Sequence, residues 1–481
     1  MYGERSRLKY QTNPQKAIEY SLLFLFVGIL LLAQYRGSFT GEERFLFLVL
    51  MIAYLWIAVL LMTALLRFNL RLFEPLMIVS VIYFAIFIMK PMADLNAGKM
   101  MEHNVNVLPG GTYATALFVL GYTVLFAAYY LHHKRIRFQK TDKEINAERL
   151  TSGRDSQSEV IWLCAAWAIV YMLCLLSMMT QGLSLRYIFS FGAEGTRAIE
   201  STGSVLLFLS NFGVTLVALW LMILDRSESV FLRIAITVLC VIYILMRNAR
   251  WLALVFLAAP IVLYYAKRNR QPRMVWVAVA AALGISVFAW MQANRYGLAR
   301  GRAMVFWGVR DLTLENLLAP LETDMSTYRA FYSMVVRYPH ATPFLFGRTF
   351  AYTLVLFVPR ALWAGKPDNP VRDMIEHSLN ARARVSGTAV ANVGELYANF
   401  GVVGIIVGMY LFGWILSLMK RRFVEASEKH DLDFLHLYAV LFPLLYQWVA
   451  RGNFCGNFYL TLFAMLPYGA VLLLRRSGKR V

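Results

Sequence analysis

Apolar runs of roughly twenty residues recur along this chain, and a run of that length is what a helix needs to cross the hydrocarbon core of a bilayer. They lie near residues 17–35, 45–66, 72–89, 112–131, 160–179, 205–224, 230–246, 251–266, 274–291, 396–418, 434–449 and 459–474. The pattern predicts an all-α polytopic membrane protein of about twelve transmembrane helices. Composition agrees: of 481 residues, 59% are hydrophobic and 16% charged, and a mean hydropathy of +0.55 excludes an ordinary soluble domain. The first run follows a polar, basic segment but is long enough to span and has no small-residue cleavage site. It reads as an uncleaved first helix.

Forty-eight Lys and Arg against 28 Asp and Glu give a formal charge of +20, which suits nucleic acid, anionic lipid or an anionic substrate. The basic residues punctuate the apolar runs instead of lining one soluble face, so nucleic acid is not an expected partner and orientation is the first reading. Arg67 and Arg71, Lys134 to Lys143, Lys267 to Arg273, Lys420 to Arg422 and Arg475 to Arg480 fall in alternate connections. Together with the basic N-terminal segment they predict both termini in the cytoplasm, with 132–157 as a cytoplasmic loop. The chain then divides into helices one to nine over 1–291, a large outward-facing loop over 292–395, and helices ten to twelve over 396–481.

Cys164, Cys174 and Cys240 sit inside apolar runs and Cys455 near a helix end, which is not a disulfide framework. No local motif has the spacing of a metal site, and no cofactor is expected. The absence of a visible internal repeat argues against the many transporters built from two related halves.

The outward loop prefers arginine. Arg295, Arg300, Arg302, Arg310, Arg329, Arg337, Arg348, Arg360, Arg372, Arg382 and Arg384 stand against a single lysine, Lys366. A guanidinium presents a planar fork of donors that matches carboxylate or phosphate oxygens in pairs. For any one arginine, pairing with Asp311, Glu315, Glu322, Asp324, Asp373 or Glu376, or contact with lipid headgroups, is an equal reading. The loop is also rich in aromatic residues and should pack on the membrane surface. Within it, PDNPVRDMIEHSLN reads as an amphipathic helix with Asn369 as N-cap, Pro370 at the first position, and Val371, Met374, Ile375 and Leu379 buried. His377 falls beside that face, better suited to packing or the interface than to catalysis.

Arg247 and Arg250 in the RNAR turn, and Arg451 in WVARGNF, end helices on the side of the loop. Each alone reads as a snorkelling anchor; together they would ring a cavity mouth with positive charge. Gly401, Gly404 and Gly408 predict close contact between the tenth helix and a neighbouring helix, and Glu395 just before them reads as the partner of an arginine.

NRYGL from Asn294, VRDLTLENL from Val309, VPRALWAGKPDNP from Val358 and SGTAVANVGELYANFGVVG from Ser386, flanked by the RNAR and VARG turns, resemble the bacterial Wzy-type polymerases of O-antigen and related oligosaccharide repeat units. The R-x10-G loop pattern of some O-antigen polymerases is absent. The resemblance implies a GT-C-like glycosyltransferase acting at the periplasmic face of the bacterial inner membrane. Its donor and acceptor would be oligosaccharides on undecaprenyl diphosphate, with membrane lipid around it and a chain-length regulator protein as a candidate partner. An acceptor hydroxyl would attack the donor's anomeric carbon as the lipid diphosphate leaves.

That chemistry needs charge stabilisation on the leaving diphosphate, and Arg250, Arg295, Arg451 and Arg360 are the candidates. It can also use a base, for which Asp311 comes first, then Glu395 and His377. Asp311 reads equally well as a structural partner of Arg310 or Arg329. An O-antigen ligase, sharing architecture and donor, and a transporter of lipid-linked oligosaccharides are the rival functions.

Overall fold

The computed structural model describes residues 14–68, 70–102, 104–132, 157–179, 211–247, 249–294, 325–356, 358, 362–379 and 389–478. Each of the twelve apolar runs overlaps a helix within them. In chain order these are α1 (Pro14–Leu32), α2 (Gly41–Arg67), α3 (Pro75–Phe84) continuing through a π turn (Ala85–Met89) into α4 (Lys90–Asn96), and α5 (Leu108–Leu131). After them come α6 (Gln157–Met179), α7 (Gly213–Arg226), α8 (Val230–Arg247), α9 (Arg250–Lys267) and α10 (Met274–Asn294). The loop contributes α11 (Thr327–Arg337), α12 (Arg348–Val355) and α13 (Pro370–Ser378), and the chain continues with α14 (Asn392–Lys429), α15 (Leu432–Ala450) and α16 (Phe454–Gly478). A two-stranded antiparallel hairpin pairs Met101–Glu102 with Val105–Asn106. Among the described residues, nine helices are long and apolar enough to cross a membrane. Their outer faces carry exposed large apolar side chains such as Leu48, Ile52, Ile169, Met172 and Leu411, as lipid contact requires.

The third span runs farther than hydropathy suggested. Lys90 and Asp94 look like its polar end, yet both are buried and neutralise each other, Lys90 Nζ lying 2.7 Å from Asp94 Oδ1. The helix therefore continues to Asn96. At the basic end Lys420, expected to reach water, is buried and ion-paired with Glu74 at 2.7 Å. Arg226 and Arg475 both pair with Asp433, and Lys267 pairs with Asp225.

Two apolar cores result. One joins α2 to α5 with α11, α13 and the first part of α14. The other joins α6 to α9 with α15 and α16. The loop helices are thus part of the core rather than a tether: Gly110 in α5 lies so close to α11 that an added Cβ would stand 1.8 Å from the Tyr332 carbonyl oxygen. Burial of Tyr328, Phe331, Tyr332 and Met334 fastens α11 there. Arg329 completes the attachment by donating to Asp94 at 2.6 Å and Glu102 at 3.1 Å, two partners in the first half of the chain. The amphipathic helix α13 forms as the sequence predicts, Asn369 Oδ1 accepting from the Val371 N–H at 3.1 Å with Val371, Met374 and Ile375 buried.

The glycines of the tenth span work differently from the expected helix–helix contact. At Phe400 (φ −140°, ψ 15°) and Gly401 (φ 60°, ψ −145°) the helix breaks, and the outer segment 392–399 folds back over the rest. A Cβ at Gly404 would meet the Leu396 carbonyl oxygen at 2.3 Å, and one at Gly408 the Leu396 side chain at 2.2 Å. The neighbour these glycines admit is their own helix; Gly413, farther on, does meet α5, at the Leu125 carbonyl oxygen.

Only glycine adopts the Gly401 backbone without strain. Gly401→Ala should cost about 1–3 kcal/mol and lower the thermal unfolding midpoint of the detergent-purified protein. Gly284→Ala, inside α10 and with an added Cβ that meets nothing within 4 Å among the described residues, should hold or raise that midpoint.

Candidate functional site

The break at Gly401 frees the carbonyl groups that a continuing helix would have used, and inside an apolar bundle protein donors must take them. The segment before α12 does so: the Leu345 N–H donates to the Ala398 oxygen at 2.9 Å and the Phe346 N–H to the Asn399 oxygen at 3.0 Å. Asn399, fully buried, ties the same pieces through its side chain. Its Nδ2 donates to Thr349 Oγ1 and to the Glu395 carbonyl oxygen, each at 2.8 Å, and its Oδ1 accepts from the Gly347 N–H at 3.1 Å.

On its other side the outer segment holds the turn that carries Arg451. The Gly452 N–H donates to the Val390 oxygen, and a Cβ at Gly452 would lie 2.7 Å from that atom, so the turn sits flush against the chain leading into α14. Glu395 Oε2 accepts from the Phe454 N–H at 2.9 Å and so caps the start of α16. The Arg451 oxygen accepts from Asn457 Nδ2 at 2.8 Å. Glu395 is 3% exposed, and its Oε1 is buried with no hydrogen-bond partner among the described residues. The arginine pairing expected for Glu395 does not form there: a backbone N–H takes the place of the cation.

Arg250 and Arg451 come to the same end of the bundle. Helices α9 and α15 pack together, with Lys267 of α9 and His436 of α15 both on Asp225, and Ser427 Oγ of α14 donates to the Ala266 oxygen of α9 at 3.2 Å. From that anchored end, helices of 18 and 19 residues carry Arg250 and Arg451 about 27 Å along antiparallel axes to the side of the loop. A row of aromatic rings includes Phe454, three residues beyond Arg451: Phe350 lies 6.2 Å from Phe400 and 5.0 Å from Phe454, and Phe454 is 6.1 Å from Phe458.

Of the other candidates, Arg295, Asp311 and Arg360 lie outside the described residues. His377 is exposed on α13 and makes its hydrogen bond within that helix, Nδ1 lying 2.6 Å from the Asp373 oxygen, rather than with Glu395. Arg372 pairs with Glu376 at 2.8 Å on the same exposed face, as the structural reading of the loop arginines allows. Lys366 is buried and donates to the Leu356 and Val358 oxygens at 2.8 and 2.9 Å, closing the C-terminal end of α12. Burial, with Asp373 adding to it, pushes the Tyr338 hydroxyl up to about 12, so this phenol stays protonated and is no base. The bridging roles of Asn399 and Thr349 were missed by sequence reasoning. A polar Asn directly before Phe–Gly at a span edge is the signal that carried them.

Replacing Asn399 by Ala removes one acceptor and two donor contacts at a buried point, and each polar group left unpaired costs about 1–3 kcal/mol. Asn399→Ala should lower the unfolding midpoint and speed hydrogen exchange at the Leu345, Phe346 and Gly347 amides while α5 and α15 keep their protection.

No curated protein and no solved structure significantly matches this chain. The family model for O-antigen polysaccharide polymerase Wzy matches residues 18–477, nearly the whole length and both cores. The chain belongs to the O-antigen polysaccharide polymerase Wzy family: it is a multi-pass membrane protein and a glycosyl-transferring enzyme of polysaccharide biosynthesis that works on lipid-linked oligosaccharides.

Proposed function

We propose that the protein joins oligosaccharide repeat units carried on undecaprenyl diphosphate at the periplasmic face of the bacterial inner membrane. The observation that supports this reading is the placement of Arg250 and Arg451 at the loop end of the packed pair α9 and α15, with the buried carboxylate of Glu395 on the Phe454 N–H just beyond the Arg451 turn, in a chain whose family acts on lipid-linked oligosaccharides. In the transfer, the acceptor sugar's hydroxyl oxygen forms a bond to the donor's anomeric carbon. The bond from that carbon to the lipid diphosphate breaks, its electron pair leaves with the diphosphate, and the hydroxyl proton passes to a carboxylate.

Guanidinium groups serve the leaving group, because negative charge develops on the diphosphate oxygens and a fixed cationic fork stabilises it without reorganising. Arg250 and Arg451 take that role, with Arg295 and Arg360 as the further candidates. Asp311 is the first candidate for the base. Glu395, free of any cation among the described residues and with Oε1 unpartnered, is the second. The periplasmic orientation rests on the alternation of basic connections along the chain. The ligase and transporter readings are not favoured by the family match.

Purified protein supplied with the lipid-linked repeat unit should form longer oligomers without nucleotide sugar or an ion gradient. Inactivity of the folded protein in that assay would overturn the polymerase reading. Arg250→Ala and Arg451→Ala should each lower the extension rate about 100-fold or more, and the Lys substitutions should recover it only in part, because the bidentate geometry is lost. Full recovery with Lys at both positions would contradict the diphosphate fork.

Glu395→Gln keeps an acceptor for the Phe454 N–H, and should therefore fold. Loss of extension in that variant at an unchanged melting temperature assigns the carboxylate to the chemistry. Unchanged extension removes Glu395 from the base candidates.

A further inference from the structure

Among the described residues, most cations withdrawn from water are paired with carboxylates, while the buried Lys366 donates to carbonyl oxygens. Lys90 and Arg329 share Asp94, Lys420 meets Glu74, Lys267 meets Asp225, and Arg226 and Arg475 meet Asp433. Arg247 departs from this pattern, as does Arg233 at the opposite end of α8, whose Nε is buried without a partner among the described residues. Arg247 closes α8 at the loop end of the bundle and is only partly exposed. Among the described residues its buried Nη1 has no hydrogen-bond partner and no carboxylate forms an ion pair with it. Groups within its electrostatic reach include the Tyr243 hydroxyl and the Cys174 thiol, neither an anion at neutral pH.

A desolvated guanidinium nitrogen with no acceptor is costly to bury, and its natural complement is an anion brought from outside. Three residues on, Arg250 opens α9, whose N-cap Ala249 makes no side-chain cap bond. The turn thus places two guanidinium-bearing residues beside an uncapped helix N-terminus, which itself favours negative charge.

We propose that Arg247, with Arg250 and the N-terminus of α9, forms a subsite for a phosphate oxyanion of the lipid-linked diphosphate. Arg247 is thereby a binding residue of the active site and not an anchor to the membrane surface. The inference rests on the polymerase reading and extends its diphosphate site from α9 and α15 to α8.

The test uses the full chain purified in detergent, with farnesyl diphosphate, farnesyl monophosphate and phosphatidylglycerol as probes, and compares wild type with Arg247→Ala, Arg247→Gln, Arg247→Lys and Arg451→Ala. Farnesyl diphosphate should bind wild type more tightly than the monophosphate. Arg247→Ala and Arg247→Gln should weaken its binding about tenfold or more, and Arg247→Lys less. The unliganded melting temperature should hold or rise, since an unpaired buried cation is being removed; a fall in both neutral variants would assign Arg247 to structure and overturn the proposal. Equal loss of phosphatidylglycerol binding would make the site one for lipid headgroups and overturn it as well. If Arg451→Ala weakens the diphosphate and Arg247→Ala does not, this inference alone fails. If neither does, the diphosphate reading fails with it.

Discussion

A helix that breaks inside an apolar bundle leaves carbonyl groups that water cannot reach, and protein donors must satisfy them. Here the break at Phe400–Gly401 governs the surrounding architecture. The Ala398 and Asn399 oxygens fix the backbone of Leu345 and Phe346, and that contact positions α12. The outer segment, turned back by Gly401, offers Glu395 to the first N–H of α16 and Val390 to the Arg451 turn. One non-helical pair of residues thereby brings three remote stretches of chain to a common point.

Charge is handled by a second rule with the same origin. Ions taken out of water need partners, and the basic end of the bundle supplies them: Glu74 for Lys420, Asp433 for Arg226 and Asp225 for the half-buried Lys267. At the loop end Asp94 performs this service for Lys90 and Arg329. Among the described residues Glu395 and Arg247 depart from it in opposite senses, a carboxylate without a paired cation and a guanidinium without a paired anion. Departures of this kind concentrate where a protein handles a charged ligand.

Much of the helical layout was legible because a bilayer-length apolar run has few alternative folds, and the amphipathic helix at Pro370 was legible from its cap and its spacing. Span limits were less so wherever charge is neutralised internally. Lys90 and Asp94 read as an end because a sequence does not display their mutual bond, and Lys420 read as an anchor for the same reason. The glycines from Gly401 onward announced a close approach but could not name the partner, since that depends on one positive φ. For the site, the arginine-bearing turns were visible as residues at span ends, whereas the Asn399 bridge to Thr349 depends on a fold-back that periodicity does not encode.

The fold-back also decides which parts of this protein can be exchanged as a unit. Residues 345–349 are hydrogen-bonded to the outer segment of α14, and that segment is in turn bonded to the start of α16 after the Arg451 turn. A loop grafted from a relative on the basis of sequence boundaries would arrive without the carbonyl groups that hold it. The transferable piece is therefore discontinuous: loop, broken helix and arginine turn together. Diversification of sugar specificity in such an enzyme would then advance by correlated changes at these three places, with the remainder of the bundle constrained chiefly by its fit to lipid and by its interior ion pairs.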